Sequence, residues 1–150
     1  MKNIHCINHP LIEHKLGILR AALGMLESVF KMIPDASVGF LGFVRNEETL
    51  KADFYFQKLP KDAKKRTAIV IDPMFATGGT AIEACNFLKS QGVKKIKFIS
   101  ILAAPQGLKK FSQMHDDVEV FVACIDEGLN EKGYIIPGLG DAGDRVFNTL

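Results

Sequence analysis

The stretch 67–80 constrains the fold more tightly than any other part of this 150-residue chain. Thr67-Ala68-Ile69-Val70-Ile71 is short, apolar and β-branched, the composition of a strand buried on both faces of a parallel sheet. It ends in Asp72-Pro73, passes through the small residues Ala76-Thr77-Gly78-Gly79-Thr80, and leads into a helical stretch over 81–90 with Gly92 in the C-cap region. Lys95–Ala103 then reads as a strand, 108–115 as a short helix and 118–125 as a further strand. This βαβαβ alternation predicts an α/β fold, a parallel sheet covered by helices. Upstream, Leu23, Leu26, Phe30 and Ile33 recur at helical spacing until Pro34-Asp35, and 37–44 and 53–59 read as strands, the second closed by Pro60. The tail from Gly128 is rich in glycine and is not expected to add another such unit.

In open α/β sheets, ligands bind at the carboxyl ends of the strands. The loop at 76–80 sits at such an end. Gly78 and Gly79 let backbone N–H groups approach an anion, Thr77 and Thr80 add hydroxyl donors, and the helix that follows presents its free N–H groups and positive dipole end. A phosphomonoester is the natural guest, and Asp72 stands far enough back to accept hydrogen bonds from a sugar attached to that phosphate. No Gly-Lys-Ser/Thr is present, so this is not a Walker loop. A second glycine pattern, Gly138-Leu139-Gly140-Asp141-Ala142-Gly143, satisfies G-x-G-x-x-G. A dinucleotide site requires a preceding strand, a following helix and an acidic residue about twenty positions on, and only seven residues follow Gly143, so a Rossmann site is not expected. The pattern reads instead as a backbone-rich loop whose N–H and C=O groups pair with the edge of a small planar base.

Composition narrows the function classes. With 19 basic and 17 acidic residues the net charge is +2, so no strong field points to nucleic acid or a membrane surface. No apolar run approaches the length of a bilayer span. The first ten residues lack a secretory h-region, and the cysteines Cys6, Cys85 and Cys124 form no Cys-x-x-Cys pair. A reducing, cytoplasmic compartment is therefore expected, with the cysteines as small core residues. Lysines outnumber arginines 15 to 4, and three of the arginines (Arg20, Arg45, Arg145) lie beside the segments singled out here. His5 and His9 are spaced as a helical metal pair, but Pro10 and the want of a third ligand argue against a site. Lys94-Lys95 and Lys109-Lys110 read as solvated faces, and Phe54-Tyr55-Phe56 as strand packing.

The pattern strand-Asp-x-x-x-x-Thr-Gly-Gly-Thr-helix resembles the phosphoribosyl pyrophosphate loop of type I phosphoribosyltransferases. Many members carry two adjacent acidic residues there. The single acid of Asp72-Pro73 is similar to the uracil phosphoribosyltransferase family, as are residues 126–144, DEGLNEKGYIIPGLGDAGD, and the stretches 9–11, 45–49 and 55–59. The resemblance implies a mostly parallel central sheet flanked by helices, a mobile β-hairpin arm and a C-terminal hood-like base-binding segment, in one domain over 1–150. It implies transfer of a phosphoribosyl group from its diphosphate donor to uracil, giving UMP and diphosphate. The donor would be bound by Arg20, Arg45, Asp72, Pro73, Met74, Phe75, Ala76, Thr77, Gly78, Gly79, Thr80 and Asp141. Ile135, Gly140, Asp141 and Ala142 would surround uracil, and Asp141 and Asp72 would act at the reacting centre. Mg²⁺ is expected on the diphosphate of the donor with no dedicated protein cage. GTP as an allosteric activator and a homodimer or higher even homo-oligomer also follow from the resemblance alone, with no nucleic-acid or membrane partner.

The chain departs from the family in one place. Members carry a further stretch, with helices and an apolar strand, that is missing here between about Arg20 and Ala21. His14-Lys15-Leu16-Gly17 stands in its place and is a poor buried strand, so the sheet is expected to lack a member and to expose an edge and an apolar face. Two other readings follow: a catalytically impaired remnant that binds only nucleotide or a partner, and a regulatory protein of the same fold. The second is disfavoured by the weak net charge and the near-complete uracil-like tail.

Overall fold

The computed structural model describes residues 13–45 and 52–149. His5, Cys6, the 9–11 stretch and residues 46–49 of the matching stretches lie outside the described residues. The centre of the molecule is β1 (His14–Leu19), paired in parallel on both sides. On one side β2 (Ser37–Arg45) runs in register from His14↔Ser37 to Leu19↔Gly42. On the other, β4 (Thr67–Ile71) runs from His14↔Ala68 to Gly17↔Ile71. β3 (Ala52–Lys58) adds to β2 antiparallel, forming the hairpin arm. Beyond β4 come β6 (Lys95–Ala103) and β7 (Glu119–Ile125), both parallel. The two-residue β5 (Met74–Phe75) pairs with β6 at Met74↔Leu102, in the same line as the Ile71↔Ile99 pair of β4.

Helices cover both faces, as the alternation predicts. α1 (Leu23–Met32) seats Leu26 against Ile69 and Ile71, with Ala22 beside them and Val29 and Phe40 at the margin. α2 (Gly79–Ser90) and α3 (Pro105–Met114) bury the larger core, in which Ile82, Cys85 and Leu88 meet Val70, Phe98 and Phe111. Phe75 stands edge-on to Phe98 and Phe111, with ring centroids 5.0 and 5.3 Å apart, a favoured aromatic geometry. α2 begins two residues earlier than the hydrophobic pattern indicates, because Gly79 and Thr80 already form its first turn. α3 likewise begins at Pro105, whose fixed φ and missing N–H suit a first helical position. The tail, where no further unit was expected, holds the paired β8 (Gly128–Leu129) and β9 (Ile135–Ile136) and the short α4 (Ala142–Phe147).

The expected gap in the sheet is not found among the described residues. His14–Leu19 occupies the central position, and its parallel ladders to β2 and β4 satisfy its backbone. The polar character of this strand appears elsewhere, as buried side-chain atoms. Lys15 is fully buried, its Nζ has no hydrogen-bond partner among the described residues, and it lies 4.7 Å from the centre of the Phe30 ring. Both ring nitrogens of His14 are likewise unpartnered, with Asp62 at 3.8 Å. The exposed apolar face is borne out in part. α1 alone does not reach the far strands, so Ile101, Phe121 and Ile125 remain 41%, 48% and 58% exposed. The cysteines divide. Cys85 is a core residue whose thiol burial pushes up to about 12, but Cys124 is exposed because β7 is an edge strand. Of Phe54-Tyr55-Phe56, Phe54 packs on Phe43 and Phe87 while all three rings keep large exposed areas. Lys94-Lys95 and Lys109-Lys110 are exposed.

Burial lowers the affinity of Lys15 for a proton, with Asp35 opposing weakly. The unfolded chain therefore holds a proton that the native chain resists, and stability falls as pH drops below the ordinary lysine range. Leaving a buried donor unmet costs about 1–3 kcal/mol. Lys15→Met is expected to raise the melting temperature at neutral pH by roughly 2–10 °C. Thermal unfolding followed from pH 7 to pH 10 checks this, the gain shrinking as the pH approaches the ordinary lysine range and less proton has to be released on folding.

Candidate active site

Asp72, the loop 76–80 and the segment from Asp126 follow the carboxyl ends of β4, β5 and β7. Pro73 is the hinge of the arrangement. It brings no amide hydrogen, so the β4 ladder stops there, but its carbonyl accepts from both Ile101 and Leu102 at 3.0 Å. Asp72 is carried at the same break, its N–H donating to Ile99 O at 3.1 Å. Its carboxylate accepts from the Met74 N–H at 3.2 Å and is otherwise enclosed, with 9% exposure. Burial pushes this carboxyl up to about 7; the Met74 N–H works against that shift, and the nearby Asp141 carboxylate adds to it.

After β5 the chain makes the turn Ala76-Thr77-Gly78. Gly78 is the residue before α2 and has φ +76°, a left-handed conformation that glycine adopts without strain. The Thr77 hydroxyl accepts from the Gly79 N–H at 3.4 Å, and Gly78 O accepts from Ile82 N at 2.9 Å as the helix begins. This turn lies directly on the first turn of α3. A Cβ on Gly78 would stand 2.8 Å from Gly107 O, and one on Gly107 would stand 2.0 Å from Ala76 O. Two glycines therefore let the loop and a helix share space that admits no side chain.

The tail leaves the same edge of the sheet, after β7. The Asp126 carboxylate accepts from the Gly138 N–H at 2.9 Å, at the turn after β9, where Ile136–Pro137 is cis and Gly138 has φ +53°. Ile135 is buried, Gly140 has φ +77° and is exposed, and Ala142 is buried as the first residue of α4. Asp141 caps α4, its carboxylate accepting from the Asp144 N–H at 2.9 Å while the residue stays exposed. Arg20 follows β1 and is exposed; its guanidinium pairs with Asp144 at 2.7 Å, reaches Thr149 at 3.4 Å and lies over the Phe147 ring. That arginine and the Thr149 hydroxyl hold the Asp144 carboxyl below the usual carboxylate range. α4 closes on the turn after β1, since a Cβ on Gly143 would be 3.7 Å from Ala21 N and one on Gly24 would be 3.3 Å from Val146.

The structure thus brings together Asp72, the 76–80 loop, Asp141 and the turn carrying Arg20. Arg45 closes β2 at the same edge, and its side chain lies outside what is described. The sequence reading passed over Asp126 and Gly107, which shape the tail and the loop. Their only signal was position: an acid directly after an apolar strand and a glycine in the first turn of a helix. Among the described residues, no group of three metal-ligating side chains comes together, and no helix is long and apolar enough to cross a membrane.

Comparison with known proteins agrees with this layout. The model of the uracil phosphoribosyltransferase family matches residues 9–149. A Campylobacter jejuni protein named uracil phosphoribosyltransferase is 72% identical over an alignment of 208 positions that spans all of both chains, against the 150 residues present here. A solved structure from Aquifex aeolicus superposes with a TM-score of 0.85 at 47% identity, over 90% of this chain and 64% of that one, so this chain spans just under two thirds of its length. The adenine phosphoribosyltransferase of Trypanosoma brucei, solved with AMP, pyrophosphate and ribose-5-phosphate, shares the fold at a TM-score of 0.60 and 17% identity, over 87% of this chain and 61% of that one. The central sheet, the glycine loop entering α2 and the glycine-rich tail are features of one family, and the chain belongs to the uracil phosphoribosyltransferases.

Proposed function

We propose that this chain transfers the 5-phosphoribosyl group of its diphosphate donor to N1 of uracil. The N1–C1′ bond forms, the C1′–O bond to diphosphate breaks, and the N1 proton leaves with the departing diphosphate, giving UMP. One observation supports this reading: the buried Asp72, just before the loop 76–80 that opens α2, feels the Asp141 carboxylate that caps α4, so the loop's strand end and the glycine-rich tail come near each other. The amides of Gly78, Gly79 and Thr80 and the Thr77 and Thr80 hydroxyls suit a 5-phosphate. Asp72 suits the ribose hydroxyls, flanked by Pro73, Met74, Phe75 and Ala76. Arg20 and Arg45 take the diphosphate end. Backbone groups around Ile135, Gly140, Asp141 and Ala142 read the two carbonyls and imide of uracil. No nucleophile is needed, because the work is positioning and charge stabilisation around an oxocarbenium-like sugar.

Mg²⁺ enters this reading with the donor, held by substrate oxygens and water, and the exposed Asp141 carboxylate is the acid beside which it would arrive. Activation by GTP, a homodimer or higher even oligomer and a cytoplasmic location belong to the same proposal and rest on the family resemblance alone. A second reading, a form that binds nucleotide without turnover, is favoured by one observation. Arg20 is engaged with Asp144 and Thr149, and must leave them to meet diphosphate. Incubation with uracil, donor and Mg²⁺ separates the two: UMP formation supports the transferase, while donor-induced stabilisation without UMP supports the remnant.

Two further outcomes follow. Forcing a side chain into the left-handed region costs about 1–2 kcal/mol, and Gly78→Ala also meets Gly107 O at 2.8 Å. The variant is expected to raise the KM for donor by at least about tenfold, measured by steady-state kinetics at saturating uracil. Asp72 is the reverse of an ordinary salt-bridged acid. Its native pKa of about 7 lies above the unfolded value, so the penalty is absent at low pH, grows as pH rises past the unfolded carboxylate range, and is complete above 7. Asp72→Asn is expected to melt higher than wild type at pH 8, to lose that advantage near pH 4, and to bind donor more weakly. Melting curves across this range, with and without donor, check it.

A further inference from the structure

We propose that Asp126 is a positioning residue for the base: its carboxylate holds the main-chain wall over 135–142 at a fixed distance from the phosphate loop. This rests on the transferase reading and assigns a role to a residue outside the substrate-contacting set. The chain of contacts is continuous. Ala104 N donates to Phe75 O at 2.9 Å, tying the end of β6 to the start of the phosphate loop. One residue earlier, Ala103 O accepts from Asp126 N at 2.9 Å, tying the same strand end to the tail. From there the Asp126 Oδ2 accepts the Gly138 N–H at 2.9 Å, twelve residues on, while Glu127 N donates to Ile136 O at 3.1 Å. Ala103 and Ala104 are both fully buried, so the shared support is the rigid interior of the sheet and not a loop.

The far end of this strut is equally restricted. At Gly138 a Cβ would stand 2.2 Å from Ile135 O, so the turn is closed on itself and has little freedom to re-form around another support. Once the Asp126 acceptor is gone, β8 and β9 retain a two-residue ladder, Gly128↔Ile136 and Leu129↔Ile135, flanked by the backbone bonds Glu127 N–Ile136 O and Asn130 N–Tyr134 O. A two-stranded ribbon of that length is marginal by itself. A charge-assisted bond to a backbone N–H is one of the stronger local ties available, and its loss frees the groups that read uracil and leaves the donor cradle on its own supports. The effect should therefore fall on the base and spare the donor.

The test compares Asp126→Ala with Asp126→Asn, whose amide oxygen still accepts from Gly138. The Ala variant is expected to raise the KM for uracil by about tenfold or more. Its KM for donor should stay within about twofold, and the Asn variant should remain near wild type in both. Equal rises in the two KM values, or an unchanged uracil KM, overturn the proposal. Should the Ala variant fail to fold by circular dichroism, Asp126→Ser, whose hydroxyl is too short to keep the bond, is held to the same criteria. Amide hydrogen exchange supplies a readout independent of turnover. Exchange over 135–142 should quicken in the Ala variant while 67–80 is unchanged, and a uniform change across both segments counts against the strut. A wild-type chain that makes no UMP contradicts the uracil assignment, and the exchange comparison then decides on Asp126 alone.

Discussion

Pro73 interrupts a strand in the interior of a parallel sheet, and the carboxyl edge is organised around that interruption. The ladder between β4 and β6 has no amide to use at this position. The β6 backbone adapts, with Ile101 and Leu102 both donating to the Pro73 carbonyl before Met74 and Phe75 resume the line. Asp72 makes the last bond of that ladder, to Ile99 O, with its carboxyl enclosed, and the break at Pro73 then sends the chain toward the loop that opens α2. Without it the strand would run on, and neither the acid nor the glycine turn would stand at the edge where ligands bind in sheets of this kind.

The site is assembled at the expense of stability, as is common where function needs groups in unfavourable places. Asp72 is buried against a second carboxylate and titrates near neutrality. Gly78 and Gly107 bring two backbones into contact where any side chain would collide. β1 adds a cost unrelated to chemistry, since His14 and Lys15 are fully buried without hydrogen-bond partners for their side chains among the described residues. These debts are carried by the aromatic and aliphatic core beneath α2 and α3, which is continuous from Leu16 to Val118. The opposite face has a smaller cluster under α1, and the apolar side chains of β6 and β7 beyond it stay exposed.

How far the molecule could be read from its sequence follows from how each element earns its place. β4, β6 and the helix after the glycine loop were readable because β-branched apolar runs and helical periodicity each dictate one solution locally. β1 was not, because His14-Lys15-Leu16-Gly17 carries no such signal and becomes a strand only through the partners it finds in β2 and β4. β8, β9 and α4 are too short for any period to register, and they are held by turns, a cap and single side-chain bonds instead. The loop 76–80 and the glycine-rich tail were visible as motifs. What joins them was invisible, because Asp126 and Gly107 act through contacts twelve or more residues away in the chain. The pairing of Arg20 with Asp144 was equally beyond local pattern, the two residues lying 124 positions apart.

The proposal is spatial: the carboxyl edge would receive a sugar phosphate at the loop 76–80 and a flat pyrimidine at the backbone of 135–142. A crystal structure grown with UMP addresses it directly. The phosphate is expected against the amides of Gly78, Gly79 and Thr80, the ribose hydroxyls against Asp72, and the uracil ring against the backbone of 135–142. UMP seated elsewhere on the molecule, or held by its phosphate with the base turned away from that backbone, would contradict the account.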